Sequence, residues 1–144
     1  MSANRGLVAI RCSRILATAD NACVAISEDA EEDFDGLDER KQAQMLRIMD
    51  LWCRNHRLTP EQFNPNEARA RKGDLNVLVQ AFKVWKVRFY GAVFQIDGTK
   101  HFITLETDLA KKQNKADPKI LNRAKTKAIE VAEKLARIAK DRGN

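Results

Sequence analysis

The chain has 144 residues, 44% hydrophobic and 32% charged, which fits one soluble globular domain rather than a disordered chain and is too short for a pair of independent cores. Aromatic residues are only 6%, which argues against a surface that stacks several bases at once. The formal charge is +6 and unevenly spread. Glu28, Asp29, Glu31, Glu32, Asp33, Asp35, Asp38 and Glu39 form an acidic block, whereas Lys and Arg dominate from Lys111 onward. That polarity predicts one basic face for a polyanion and an acidic flank elsewhere. Cys12, Cys23 and Cys53 make an odd set without close pairing. They read as small apolar residues in a reducing compartment. The sequence shows no signal-type apolar segment and no apolar run of membrane-spanning length, so the expectation is a cytoplasmic protein with no membrane partner.

Residues 1–21 are read as an extension, with 7–10 and 15–17 as short strands or parts of one helix. The domain proper is assigned to residues 22–144. The run 23–27 (Cys-Val-Ala-Ile-Ser) predicts a buried strand. Ser27, Glu28 and Asp29 then predict a helix start, through side-chain capping and acids at the positive dipole end. Phe34 and Leu37 give this helix an inward face, and Gly36 interrupts it. A second helix is predicted over 38–55, with Met45, Met49 and Trp52 on one stripe and Leu46 and Cys53 beside it. Residues 58–74 contain Thr59-Pro60, Asn64-Pro65 and Gly73 and read as a loop with Arg69, Arg71 and Lys72 on it.

Alternation over 82–90 predicts a strand with Trp85, Val87 and Phe89 facing inward and Lys86, Arg88 and Tyr90 outward. Gly91 marks a turn or bulge. A strand over 92–96, the hairpin dipeptide Asp97-Gly98 and a strand over 101–107 follow. The last helix is predicted over 118–141, with Leu121, Ala124, Ala128, Val131, Leu135 and Ile138 as its stripe. The expected architecture is α+β: a small antiparallel sheet with helices covering one face. The other face is then left to carry Lys86, Arg88 and Tyr90.

Between the last strand and the last helix stands Lys111-Lys112-Gln113-Asn114-Lys115-Ala116-Asp117-Pro118. Asp117 suits an N-cap and Pro118 a first helical position, so three ammonium groups crowd a turn between a strand end and a helix start. The simple alternative is a solvated corner.

The element order, with "SEDAEEDF" after the first strand, "WKVRF" on the next and "KKQNKADP" before the last helix, resembles the RelE/ParE-type toxin superfamily of bacterial toxin–antitoxin modules. The likeness is to its phage-derived, HigB-like branch and covers residues 23–138. It implies a RelE-like sheet with a two-helix hairpin on one face. The implied activity is an endoribonuclease that cleaves mRNA, on the ribosome in many members, and so inhibits translation. A small cognate antitoxin is the implied partner and would cover the basic groove. Other members inhibit DNA gyrase without cutting RNA. The chain departs from the family pattern by its N-terminal residues and by Gly91-Ala92 where a second arginine is expected.

Metal-free RNA cleavage asks for cations around the crowded phosphorane and groups that move a proton. Arg88 is the candidate phosphate clamp, because its planar fork matches two oxygens. Lys111 and Lys112 are candidate charge stabilisers, one of them also a proton carrier, and Tyr90 is a candidate for stacking or acid work. Lys83, Lys86, Lys115 and Arg123 are candidate contacts to the RNA backbone. The competing structural roles are a pair of Arg88 with Glu106 or Asp108, an ordinary sheet position for Tyr90 and His101, and core positions for Trp52 and Trp85. A non-toxic RNA-binding accessory protein is the remaining alternative. Cys53 and His56 lack further ligands at zinc spacing, and the chain carries neither a glycine-rich phosphate loop nor a nucleophile elbow. No cofactor is expected.

Overall fold

Asp97 and Gly98 fold as their chemistry predicts. Both have positive φ, 52° and 81°, and they close a two-residue hairpin between Ile96 and Thr99. Around this hairpin the computed structural model describes residues 2–109 and 116–142, with side chains from residue 6 to 141. The elements are α1 (Ser2–Ala9), β1 (Cys12–Ala19), β2 (Ala22–Ser27), α2 (Glu28–Asp35), α3 (Glu39–Cys53), β3 (Phe63–Lys72), β4 (Leu75–Val84), β5 (Val87–Ile96), β6 (Thr99–Asp108) and α4 (Pro118–Arg142). The fold is α+β, with a six-stranded mixed sheet in the order β1-β2-β6-β5-β4-β3. Strand β2 runs parallel to β6, and every other pair is antiparallel.

Strand β2 is buried at every position. That explains its unbroken apolar run, since it has neighbours on both sides and helices on both faces. On one face, Phe34, Met45 and Met49 of α2 and α3 meet Val24, Ile26, Phe82, Phe89 and Phe102. On the other, Ala124, Ala128 and Val131 of α4 meet Ala81, Tyr90, Ala92 and Ile103. Alanines along the α4 stripe let the helix lie close across β3, β4, β5 and β6. The second face, expected to be open, is therefore covered. Two helical layers, each with an apolar stripe, require two sheet faces to bury them.

Residues 2–21 supply α1 and an edge strand. Leu7 and Ile10 are buried in the α4-side core, and β1 pairs with β2 from Cys12 to Ala19. The segment read as a loop forms β3 instead, paired with β4. It lies at the sheet edge, where Pro65 is tolerated and only Ala70 is buried. Two helix starts are capped by side chains, the second of them as the sequence predicts. Lys41 N–H donates to Asp38 Oδ1 at 2.8 Å, and Lys119 N–H donates to Asp117 Oδ1 at 2.9 Å. Such capping fails at Ser27, which occupies the N-cap of α2 without a side-chain cap bond. There Glu28, Asp29 and Glu31 in the first turn supply the favourable charge.

Candidate nucleic-acid interface

Val84 pairs with Val87, so Trp85 and Lys86 are the two loop residues of a tight turn and not part of one strand. This overturns the inward position expected for Trp85, which is 79% exposed. A two-residue turn shifts the parity, so Val84 and Val87 both face the α2–α3 core. Beyond the turn, Lys83 on β4, Arg88 on β5 and Asp108 on β6 stand directly opposite one another in register. Directly paired residues share a sheet face, so these three charged side chains form one row at the end of the sheet. Lys83 and Arg88 are half-buried, and Lys86 is exposed at the turn.

Arg88 is held by the turn. Its Nη1 donates to the Trp85 carbonyl at 2.8 Å and to the Val87 carbonyl at 3.1 Å. Its Nε is buried without a hydrogen-bond partner among the described residues. Lys83 is fixed through its backbone, whose N–H donates to the Gln62 carbonyl at 2.8 Å. Lys83 also borders an open cleft of about 490 Å³, walled by Trp52, Leu58, Pro60 and Phe63.

Lys111, Lys112 and Lys115 lie outside the described residues. The chain enters their segment from β6 just after Asp108, the cross-strand neighbour of Arg88, and leaves it at Asp117, the cap of α4.

The structure corrects the stacking role expected of Tyr90. On β5 it faces α4 and is fully buried, so no base reaches its ring. Its hydroxyl has no partner among the described residues. Burial, with the carboxylates of Glu67 and Asp108 adding to it, pushes the phenol well above its ordinary range, and nearby Arg88 offsets this only in part. Tyr90→Phe is expected to leave stability unchanged or raise it by up to about 1 kcal/mol, because it deletes an unsatisfied buried group. Urea unfolding measures this, and a clear loss of stability would reveal a partner for the hydroxyl.

Arg123 does not stand as a bare cation. Its Nε meets Glu106 Oε1 at 2.9 Å. Glu106 also accepts from Lys127 Nζ, which lies 3.3 Å from Asp29. Burial pulls Lys127 down, but the two carboxylates outweigh it and hold the ammonium above its ordinary range. Arg123 therefore ties α4 to the bulged part of β6, where an RNA phosphate would compete with a carboxylate already in place.

At Gly91, where the resemblance leads one to expect an arginine, the structure leaves no room for a side chain. A Cβ there would lie 2.1 Å from the Ile103 carbonyl oxygen and 2.7 Å from the Phe102 ring. The register shift between Tyr90 and Gly91 matches the bulge expected from the sequence. His101 is buried with Nδ1 2.8 Å from the Thr99 carbonyl, a structural position. The thiols of Cys12, Cys23 and Cys53 are free, and burial pushes them up to about 12, 11 and 11 respectively, which removes them as nucleophiles near neutral pH. Among the described residues no group of His, Cys, Asp and Glu could hold a metal ion, and no helix is long and apolar enough to cross a membrane.

Sequence reasoning missed Trp85 as a surface residue, because neither Trp nor Lys signals a tight turn. Comparison with protein-family models, curated proteins and solved structures finds no match to the chain. The residues themselves carry the functional reading.

Proposed function

We propose that the chain is a RelE-like toxin of a toxin–antitoxin module, acting as an endoribonuclease on mRNA. The observation that carries this reading is the row of Lys83, Arg88 and Asp108 at the strand ends, from which the lysine-rich segment departs. In support, the strand-hairpin-meander order of β2, α2, α3, β4, β5 and β6, with β2 parallel to β6, suits a RelE-like sheet enlarged by edge strands β1 and β3. In the proposed reaction the 2′-hydroxyl oxygen of the RNA attacks the adjacent phosphorus and the 5′-oxygen leaves with a proton. Arg88, whose Nη1 is committed to the turn, offers its Nη2 and its charge to a phosphate oxygen, while Lys111 and Lys112 stabilise the phosphorane and pass the proton. Lys86 and Lys115 track the backbone. A small antitoxin would neutralise the toxin by covering this cationic end.

The test is translation in a cell-free extract with added protein, with new mRNA 5′ ends mapped. Codon-spaced cuts are expected, and Arg88→Ala and Lys112→Ala should each lower the cutting rate about a hundredfold. Intact message in translating extract, or equal cutting by Arg88→Ala, overturns the proposal. One observation favours a second reading, non-enzymatic inhibition of DNA gyrase: Tyr90 is buried and Gly91 has no room for a side chain, which shortens the catalytic set. Blocked supercoiling with intact message would select it.

A further inference from the structure

Trp85 is in an unfavourable state on two counts. Its φ of 55° is left-handed, a conformation in which Cβ crowds the backbone and which glycine ordinarily fills at the first loop position of a two-residue hairpin. Its indole is also 79% exposed, leaving in water a ring that most folds bury. Bulky residues held in such a conformation mark positions where a surface duty offsets the strain.

The surroundings indicate the ligand. Lys83, Lys86 and Arg88 flank the indole within three positions on either side, and Arg88 is bonded to the Trp85 carbonyl itself, which pins the turn. The nearest acidic group in register is Asp108, opposite Arg88. Among the described residues the other large apolar side chains left exposed are Val8, Ile15 and Leu109. Of these only Leu109 belongs to this end of the sheet, one residue past Asp108. A protein-binding hot spot sets its tryptophan among other apolar groups that exclude water. A single flat ring among cations suits a nucleobase, whose face stacks on the indole while its phosphates meet ammonium and guanidinium groups.

We propose that Trp85 is a stacking platform for one unpaired base of single-stranded RNA, with Lys83, Lys86 and Arg88 on the flanking phosphates. This rests on the RNA-directed reading above and deepens it, because the stacked base would set where the strand lies relative to Arg88.

The experiment uses the full chain carrying Trp52→Phe, so that Trp85 is the sole indole. The probes are a 2′-O-methyl oligoadenylate, which cannot be cut by 2′-oxygen attack, and an abasic strand of equal length. The base-bearing strand is expected to quench Trp85 emission. Trp85→Ala should weaken its binding about 5- to 150-fold, and Trp85→Phe should retain most of the affinity. The abasic strand should bind the wild type and Trp85→Ala alike. Unchanged affinity in Trp85→Ala, where Arg88→Ala has weakened it, overturns the stacking role alone and leaves the indole to a protein partner. Absence of any binding by the wild type at low salt overturns both the stacking role and the RNA reading. An intact fold in each variant is read from its far-ultraviolet circular dichroism.

Discussion

Phe102→Ala is expected to lose about 3–5 kcal/mol of folding stability, read as a lower urea midpoint at unchanged slope. The ring is fully buried on β6, which lies between β2 and β5 in the sheet. It lies 4.6 Å from the Phe82 ring, 5.9 Å from Trp52 and 6.3 Å from Phe63, centroid to centroid. These rings come from β4, α3 and β3, so Phe102 joins the α3 layer to the β3–β4 side of the sheet. Its neighbours are fixed by strand pairing and cannot slide in to fill the space, which puts the cost toward the upper end of the range for such truncations. Trp52 emission reports the same event locally, because its ring meets Phe82 and Phe102 edge-on. Phe102→Leu, keeping most of the volume, should lose less. A loss under about 1 kcal/mol in Phe102→Ala would contradict this core, since cavities of that kind cost more when they cannot collapse.

Much of this core was legible in the sequence. The stripe Met45, Met49 and Trp52 predicted α3 within two residues at each end, and Pro118 with the alanine-rich stripe predicted α4 almost whole. Both signals are strong because a long amphipathic period is hard to produce by chance. The edge strands were not legible. Strand β3 buries only Ala70 and carries Pro65, so it holds its place by backbone pairing to β4 and leaves no alternation to read. Strand β1 likewise exposes half of its side chains.

The candidate site was legible in its parts and not in its arrangement. Arg88 stands at the sheet end in register with Lys83 and Asp108, whereas Lys111, Lys112 and Lys115 lie outside the described residues. Tyr90 does lie on the face opposite Val87 and Phe89, as the alternation predicts; what fails is the expectation that this face is open. The α4 stripe already required that face. Arg123 looked available because sequence alone does not show that the bulge in β6 brings Glu106 against α4. Trp85 could not be found at all, since a turn built on left-handed tryptophan violates the residue preferences by which turns are recognised.

Gly91→Ala is expected to cost about 3 kcal/mol or more, although alanine is the smallest change available there. The new Cβ would sit 2.1 Å from the Ile103 carbonyl oxygen and 2.9 Å from its carbonyl carbon. Both are backbone atoms of the adjacent strand, so relief requires β5 and β6 to separate. The same place holds the bulge after which Tyr90 faces Glu106, and the shift that relieves the clash would also move Glu106 from Arg123 and Lys127. The Phe102 ring is a second obstacle at 2.7 Å, and the two substitutions together decide which obstacle governs. If the carbonyl governs, Phe102→Leu does not rescue Gly91→Ala, and the losses in the double variant approximately add. If the ring governs, the double variant is more stable than Gly91→Ala alone. The first outcome is expected, since a side chain can rotate away and a paired carbonyl cannot. Gly91→Ala folding within about 1 kcal/mol of the wild type would show that β5 and β6 are not so closely apposed, and would reopen this position to the arginine that the resemblance leads one to expect.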